Sequence, residues 1–366
     1  MKRPANSRKL IQLLTGLAIV SLLLVGCDGT SPSSQSVPIE QAVDEFITPY
    51  VDARSFSGSV LIAEGENVLI SKGYGMANLE HDVPNTPQTK FRLGSITKQF
   101  TAMAILMLQE QGQLNVQDPV CDYISDCPET WQPITIHQLL THSSGIPNHT
   151  DFPDFEEIKA LGSTVSSTIN TFRDKPLGFA PGTAFGYSNS GYMLLGHIIE
   201  QSAGNPSYEA YVSENVFQPL NMMNSGYDQN SLVLSNRASG YVRIDPNTIG
   251  NADHLEMSVP HAAGALYSTV EDLYLWDRAL YNESLVSQSS LNMMFMPDKG
   301  GYGYGWFISK MLDRKVTEHN GGINGFATNI ARFVDDDVVI IVLSNIEDTD
   351  PVHITRGLAW IVFEEN

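Results

Sequence analysis

Apolar runs separated by polar turns mark both ends of this 366-residue chain. Near the start, the pattern predicts a helix over residues 38–51 and a strand hairpin around a Gly-Glu-Asn turn over residues 56–78. The last third predicts four further strands and a closing helix, at residues 302–311, 315–322, 326–334, 338–345 and 352–363. We therefore expect an α+β fold of three layers (α/β/α), with one antiparallel sheet built from both chain ends.

The middle of the chain, about residues 114–250, carries mostly helical patterns broken by Pro and Gly, so we expect it to form an inserted, mostly helical lobe. One helix is predicted to begin with a capping box formed by Thr135 and Gln138 and to end at Gly145. Another is predicted over residues 191–204. A cleft between such a lobe and the sheet is where a ligand site is expected.

Residues 93–112 predict a helix that is buried on every side, because residues 102–108 form an unbroken apolar run of about two turns. Lys98 lies in the first turns of this helix, one turn after Ser95. An unpaired ammonium in an apolar interior costs several kcal/mol or loses its proton. This lysine therefore needs either a route to solvent or a chemical role.

The first 26 residues have the pattern of an export signal, with a basic start and an apolar core that contains no acidic residue. The core ends in Leu-Val-Gly-Cys, which resembles a bacterial lipobox, so Cys27 is the predicted lipidation site; the alternative is an ordinary signal peptide with a chance cysteine. Residues 27–37 suit a flexible tether, and residues 38–366 would form the folded domain. We expect an exported protein, lipid-anchored at the periplasmic or extracellular face of the cell envelope.

Composition and charge narrow the possible partners. Loss of the leader would remove four basic residues and no acid, leaving 17 basic and 41 acidic residues and a net charge of −24. So acidic a surface argues against a nucleic-acid partner. Cys121 and Cys127 lie close together in the sequence; in an oxidising compartment they predict a local disulfide, with a reduced pair as the alternative.

Several common catalytic sites are excluded because their motifs are missing from the sequence. There is no HExxH, no GxGxxG after a strand, no GxxxxGK[ST] and no GxSxG, and the nine histidines lack a metal-ligand spacing. We expect neither a metal nor a cofactor. The sequence does contain one S-x-x-K, in which Ser95 and Lys98 share a helix face, so that a desolvated lysine could take a proton from the serine. The alternative is that Lys98 reaches the surface and Ser95 only caps the helix.

Two further segments could complete a site. Tyr187 and Asn189 stand just before an apolar helix; the tyrosine could act as a general base if a nearby lysine lowers its pKa, and the asparagine could bind a substrate carbonyl. Residues 318–326 are rich in glycine, which lets backbone N–H groups approach a ligand closely. Taken singly, the first segment also fits a turn with a helix cap and the second a plain hairpin turn. His137 and His142 are assigned to a helix end and its loop.

Together, Ser-x-x-Lys, Tyr-x-Asn and His-x-Gly resemble the motifs of the serine β-lactamase and penicillin-binding protein superfamily. The likeness is to the branch that holds class C β-lactamases, D-Ala-D-Ala carboxypeptidases and related esterases, and it covers about residues 40–365. Supporting stretches in the same order are FRLGSITKQFTAMAILMLQEQGQL, ITIHQLLTHSSGIP, PGTAFGYSNSGYMLLG and HAAGALYSTVEDLYLWDRAL. The resemblance implies a β-lactamase/transpeptidase-like fold.

The resemblance also implies roles for individual residues. Ser95 would be the nucleophile that forms an acyl-enzyme, Lys98 its partner in proton transfer, and Tyr187 the group that relays the proton to the leaving group. Asn189 would hold the substrate amide. The N–H groups of Ser95 and Gly322 would form the oxyanion hole. The third motif, which supplies predicted substrate-binding residues, consists of His319, Asn320 and Gly321.

The third motif departs from that of class C β-lactamases, where a lysine takes the place of His319 and its charge helps to bind the substrate carboxylate. Histidine is only partly charged at pH 7. We therefore expect hydrolysis of a small-molecule or peptide substrate through an amide, peptide or ester bond. The alternatives are a class C-like β-lactamase, and a penicillin-binding sensor or non-catalytic binding protein. The sequence does not indicate an oligomeric state.

Overall fold

Strands from both ends of the chain pair in one sheet. The structure, a computed structural model, describes residues 38–204, 207–245 and 248–364. Its strands are β1 (Gly58–Glu64), β2 (Asn67–Tyr74), β3 (Met76–Asn78), β4 (Val83–Pro84), β5 (Phe91–Arg92), β6 (Gly226–Tyr227), β7 (Tyr241–Asp245), β8 (Thr248–Asn251), β9 (Leu266–Ser268), β10 (Phe307–Met311), β11 (Arg314–Ile323), β12 (Phe326–Phe333) and β13 (Val338–Ser344). The main sheet is antiparallel in the order β10-β11-β12-β13-β1-β2, so the first strand pairs directly with the last.

Helices cover both faces of this sheet. They are α1 (Ile39–Asp52), α2 (Thr97–Glu110), α3 (Ile136–Leu140), α4 (Phe155–Ile158), α5 (Val165–Phe172), α6 (Asn189–Ser202), α7 (Tyr208–Val212), α8 (His261–Gly264), α9 (Val270–Ala279), α10 (Gln288–Met294) and α11 (Pro351–Glu364). A π turn, Ser213–Phe217, extends α7. Along β1, Val60 packs into the core beneath α1 and α11, and Leu61 packs into the larger core around α2. This alternation produces the three layers, because successive strand residues face opposite sides of a sheet.

The predicted elements at both ends are confirmed, and so is the α+β fold of three layers. The prediction of a mostly helical middle is only partly correct, since the described part of residues 114–250 also contains β6, the β7–β8 hairpin and long irregular segments. Tyr, Val and Ile in β7 favour a strand, and this strand bridges to Ile346 beside the main sheet. Tertiary pairing decides the structure there.

The capping box at the start of α3 is confirmed. The N–H of Gln138 donates to Thr135 Oγ1 at 3.3 Å, and the N–H of Thr135 donates to Gln138 Oε1 at 3.1 Å. The predicted end of this helix at Gly145 is wrong. The helix ends at Leu140, because His142 already adopts a left-handed backbone with φ of 53°.

The two predicted cysteine partners are joined by a disulfide that links Cys121 to Cys127 across a short loop. The predicted leader, the lipidation site Cys27 and the tether at residues 27–37 lie outside the described residues. Within the described ranges, no helix has both the length and the apolar character that a membrane crossing requires.

Candidate active site

A tight turn presents Ser95 at the start of α2. The 3-10 turn Gly94–Ile96 leads directly into the helix, and Ser95 is partly exposed while its neighbours on both sides are buried. Gly94 has φ of 55°, and a Cβ there would lie 3.0 Å from the backbone nitrogen of Gly322 on β11. Glycine is therefore needed for this turn to approach the strand. Ser95 and Gly322 consequently line one cavity, which is where the predicted oxyanion hole would lie.

Lys98 is completely buried one turn further along α2. Its Nζ lies 3.0 Å from Ser95 Oγ, 2.8 Å from Asn189 Oδ1 and 2.8 Å from the carbonyl oxygen of Ala263. Among the described residues, no carboxylate lies within ion-pair distance of this nitrogen. Burial therefore lowers the pKa of Lys98 well below its ordinary value and favours the neutral amine.

The neutral amine matches these three neighbours atom by atom. A neutral amine carries two N–H donors and one lone pair, and two of its neighbours, Asn189 Oδ1 and the Ala263 carbonyl oxygen, can only accept hydrogen bonds. The remaining lone pair faces Ser95 Oγ, whose hydroxyl can donate. The alternative in which Lys98 reaches the surface does not hold, and the geometry suits proton transfer from Ser95 to Lys98.

Tyr187 and Asn189 enter the site from the start of α6. The Ser188 side chain caps this helix by accepting the N–H of Gly191, so the alternative reading as a turn with a helix cap is also correct. The ring centroid of Tyr187 lies 4.9 Å from Lys98 Nζ. Burial raises the pKa of Tyr187 and outweighs the neighbouring Ser95 side chain, which lowers it. The tyrosine is therefore a neutral phenol that can donate a proton, and the predicted phenolate base is not favoured.

The structure corrects two predictions for the third motif. His319 is 1% exposed, and both ring nitrogens have partners: Nε2 lies 3.0 Å from Tyr302 Oη and Nδ1 lies 2.6 Å from the carbonyl oxygen of Asn320. Burial lowers the pKa of His319 to about 3, so it is neutral at pH 7 and not partly charged. The ring supports the strand and offers no free donor to a substrate.

Asn320 also does not point toward Ser95. It pairs with Asn329 on β12, and directly opposed residues place their side chains on the same face of a sheet. Asn329 donates to Thr355 on α11, which is the face away from the nucleophile. Asn320 stays a predicted substrate-binding residue only through its backbone, because its side chain lies on the face away from Ser95. Alternation along a strand exposes only every second residue of a motif to the cleft.

Gly321 faces the nucleophile turn. A Cβ at Gly321 would lie 2.0 Å from the carbonyl oxygen of Leu93 and 2.4 Å from Thr328 Oγ1. Thr328 Oγ1 in turn donates to that same carbonyl at 2.8 Å, which ties β12 to the turn. Glycine at this position lets β11 lie against the turn and bring Gly322 beside Ser95. Its role is close backbone approach and not direct contact with substrate.

A cavity of about 200 Å³ opens over Ser95. Its walls are mostly apolar, and a few polar groups stand among them. The lining includes Phe155, Leu255, Val259, Thr150 and Asn189. None of the described residues that line it is Lys or Arg. Such a mixture is typical of a small-molecule site in which a few polar groups orient an otherwise apolar ligand.

Some contributors to the site were missed from the sequence. The carbonyl oxygen of Ala263, which orients Lys98, comes from α8, and no side-chain motif marks a backbone acceptor. Thr150 Oγ1 accepts from Asn189 Nδ2 at 3.2 Å and so helps to fix that amide. Among the described residues, no group of three or more His, Cys, Asp or Glu side chains is arranged to hold a metal ion.

Comparisons with known proteins show which family this chain resembles. A family model described as beta-lactamase matches residues 43–362. Penicillin-binding protein 4* of Bacillus subtilis is 29% identical over 319 residues, which cover 81% of this chain and 70% of that relative. A penicillin-binding protein from Bacillus halodurans has a similar structure, with a TM-score of 0.77 and 26% identity over 87% of this chain and 99% of that one. D-amino acid amidase from Ochrobactrum anthropi, complexed with D-phenylalanine, shares the fold with a TM-score of 0.79 and 21% identity over 90% of this chain and 100% of that one. The chain therefore belongs to the serine β-lactamase and penicillin-binding protein superfamily.

Proposed function

We propose that this protein is a serine hydrolase that forms an acyl-enzyme on Ser95. The observation that carries the proposal is the contact between Ser95 Oγ and the buried amine of Lys98, which has no carboxylate partner among the described residues. A lysine without a carboxylate partner is costly to bury, whereas a neutral amine beside an accessible serine is a suitable general base. Membership in a family of hydrolases and penicillin-binding proteins supports the same chemistry.

The proposed reaction has two halves. Ser95 Oγ attacks the substrate carbonyl while its proton passes to Lys98 Nζ, and the N–H groups of Ser95 and Gly322 stabilise the oxyanion. Tyr187 then delivers a proton to the leaving amine or alcohol as the carbonyl re-forms, leaving the acyl group on Ser95, and the proton held on Lys98 passes to Tyr187 in exchange. In the second half water attacks this ester and gives a proton to Lys98, which passes that proton to the displaced serine oxygen as the acid product leaves.

We further propose that the substrate is an amide, peptide or ester whose scissile group carries no carboxylate that must be bound next to Ser95. The described lining of the cavity contains no cationic side chain, and His319, which replaces the lysine of class C β-lactamases, is neutral and buried. Amides of D-amino acids carry no such carboxylate, and the fold shared with D-amino acid amidase supports them as the first class to test. β-Lactams, which carry such a carboxylate, are disfavoured.

The cell-envelope location remains a proposal that rests on the leader sequence. A basic start, an apolar core and the Leu-Val-Gly-Cys ending at Cys27 support export and lipidation. Labelling growing cells with a clickable palmitate analogue would test it. Label on wild-type protein and none on Cys27→Ser supports the anchor, and equal labelling of both refutes it.

A substrate panel tests the enzymatic proposal. Purified wild type and Ser95→Ala should be compared on D-amino acid amides and dipeptides, p-nitrophenyl esters, a penicillin and a cephalosporin. We expect Ser95-dependent turnover of amides or esters and slow turnover of the β-lactams. Rapid Ser95-dependent turnover of the cephalosporin would establish a β-lactamase, and a stable penicillin adduct without any turnover would establish a sensor.

A further inference from the structure

The turn after α3 holds a buried histidine that the proposed reaction does not use. His142 is 1% exposed and has φ of 53°, in the left-handed region that residues other than glycine seldom occupy. Such backbone strain costs about 1–3 kcal/mol and persists where the surrounding structure holds it in place. The contacts of His142 show what holds it.

His142 grips the chain on both sides of Tyr187. Its carbonyl oxygen accepts the N–H of Gly186 at 2.9 Å, and its ring Nδ1 accepts the N–H of Ser188 at 3.1 Å. Between these two bonds, the His142 ring lies against the Tyr187 ring, with centroids 4.3 Å apart and planes 36° apart. The left-handed turn allows one residue to use its carbonyl and its ring on the same neighbouring segment.

These contacts determine the form of the imidazole. A backbone N–H can only donate, so Nδ1 must be unprotonated and Nε2 carries the hydrogen. Burial keeps the pKa of His142 well below its ordinary value. The Nε2 atom has no hydrogen-bond partner among the described residues and is surrounded by the rings of Tyr192 and Tyr302. The hydrogen bonding of this side chain is therefore directed entirely at the Tyr187 segment.

We propose that His142 is a positioning residue that fixes the Tyr187 hydroxyl for proton delivery to the leaving group. The inference rests on the proposed function, in which Tyr187, whose ring centroid lies 4.9 Å from Lys98 Nζ, protonates the departing group. Two hydrogen bonds from the backbone N–H groups of Gly186 and Ser188 set the position of Tyr187, and the adjacent, tilted His142 ring limits its rotation. Loss of the Nδ1 acceptor would leave the Ser188 N–H unpaired and let the phenol drift.

A leaving-group series distinguishes this role from ordinary packing. Nitrophenolate departs without protonation, whereas p-methoxyphenolate, about as basic as tyrosine, benefits from a proton donor. Correctly placed general acids contribute about 10²–10⁴-fold, so we expect His142→Ala to lower kcat/KM for p-methoxyphenyl acetate at least ~30-fold and that for p-nitrophenyl acetate by no more than ~3-fold. Tyr187→Phe should reproduce the same selective loss.

Rescue identifies the atom responsible. Asparagine tolerates the left-handed backbone, and its Oδ1 occupies the place of Nδ1, so His142→Asn should recover most of the p-methoxyphenyl activity. Glutamine places its acceptor one bond further from the backbone, so His142→Gln should not recover the p-methoxyphenyl activity. If His142→Ala fails to fold, His142→Gln replaces it as the variant that lacks the acceptor. Val342→Ala, in the core beneath α1 and α11, is the control for lost stability and should change kcat/KM for both esters by the same factor.

The outcomes separate the two proposals. If wild type shows no Ser95-dependent turnover of any amide or ester in the panel, p-nitrophenyl acetate included, the proposed hydrolase itself is refuted. The positioning role is overturned, and the hydrolase stands, in either of two cases with an active wild type. In the first, the His142 variants lower kcat/KM equally for both esters; in the second, kcat/KM of His142→Asn for p-methoxyphenyl acetate is no higher than that of His142→Gln. Selective loss with rescue by asparagine alone establishes the role of His142.

Discussion

Replacement of Gly321 by alanine tests whether close approach of β11 to the nucleophile turn is essential. The added Cβ would lie 2.0 Å from the Leu93 carbonyl oxygen, whereas real Cβ atoms essentially never come closer than 3.0 Å to another heavy atom. Both sides of the contact are backbone. The strand must therefore move away from the turn by about 1 Å, and Gly322, the next residue, moves with it.

This displacement sets the expected loss. A misplacement of about 1 Å in a catalytic group can cost ~10²-fold in rate, so we expect Gly321→Ala to lower kcat on the preferred ester about 100-fold, with a smaller change in KM. Overpacking of this kind also costs about 1–3 kcal/mol of stability, so the variant should remain folded. Steady-state kinetics and thermal unfolding on the same preparation measure both effects.

Gly162→Ala is the matched control, because a Cβ at that exposed glycine meets nothing within 4 Å. It should retain wild-type kinetics. If Gly321→Ala also retained at least half of the wild-type kcat at unchanged stability, the strand would not need to touch the turn, and the oxyanion hole assigned to Ser95 and Gly322 would be wrong.

Two further predictions concern stability. The folded-state pKa values of His149, His261 and His319 are about 4, about 4 and about 3, below the ordinary 6.5, mainly because of burial. Below pH 6.5 the unfolded chain then binds more protons than the folded one, so the free energy of unfolding falls as the pH drops from 6.5 toward 4. The expected loss is about 2 kcal/mol per histidine at pH 5. Denaturant unfolding at pH 7 and pH 5 measures this loss, and equal stability at the two pH values would contradict it. Replacement of both Cys121 and Cys127 by serine removes the disulfide and should lower the free energy of unfolding by about 2 kcal/mol while kcat stays unchanged. A large loss of kcat would show that the disulfide-closed loop supports the site.

The sequence alone was enough to predict the nucleophile Ser95 and its neighbour Lys98, which lie one helical turn apart. Ser95 and Lys98 could be paired because helical spacing fixes their separation, whereas the apolar pattern of α2 left open whether the lysine is buried or reaches the surface. The paired strands at both chain ends followed from their apolar runs and turn residues. These features depend on local periodicity, which a sequence displays directly.

The errors came from features that are not local. Which face of β11 meets the cleft depends on its register with β12, so the motif alone could not show on which face the Asn320 side chain lies. The charge of His319 depends on burial beneath Tyr302, which lies 17 residues away in the chain. The link from His142 to the Tyr187 segment joins residues about 45 positions apart through backbone groups, and no side-chain pattern reveals it.

Active-site labelling tests the central claim most directly. Intact mass and peptide mapping after incubation with a fluorophosphonate probe should show one adduct on Ser95 in the wild type and none in Ser95→Ala. The labelling rate of Lys98→Ala should fall by a factor of about 10² or more, because general-base assistance typically contributes at least that factor. Labelling of Lys98→Ala at the wild-type rate, or an adduct on another residue, would contradict the assignment of Ser95 as a nucleophile activated by a neutral lysine.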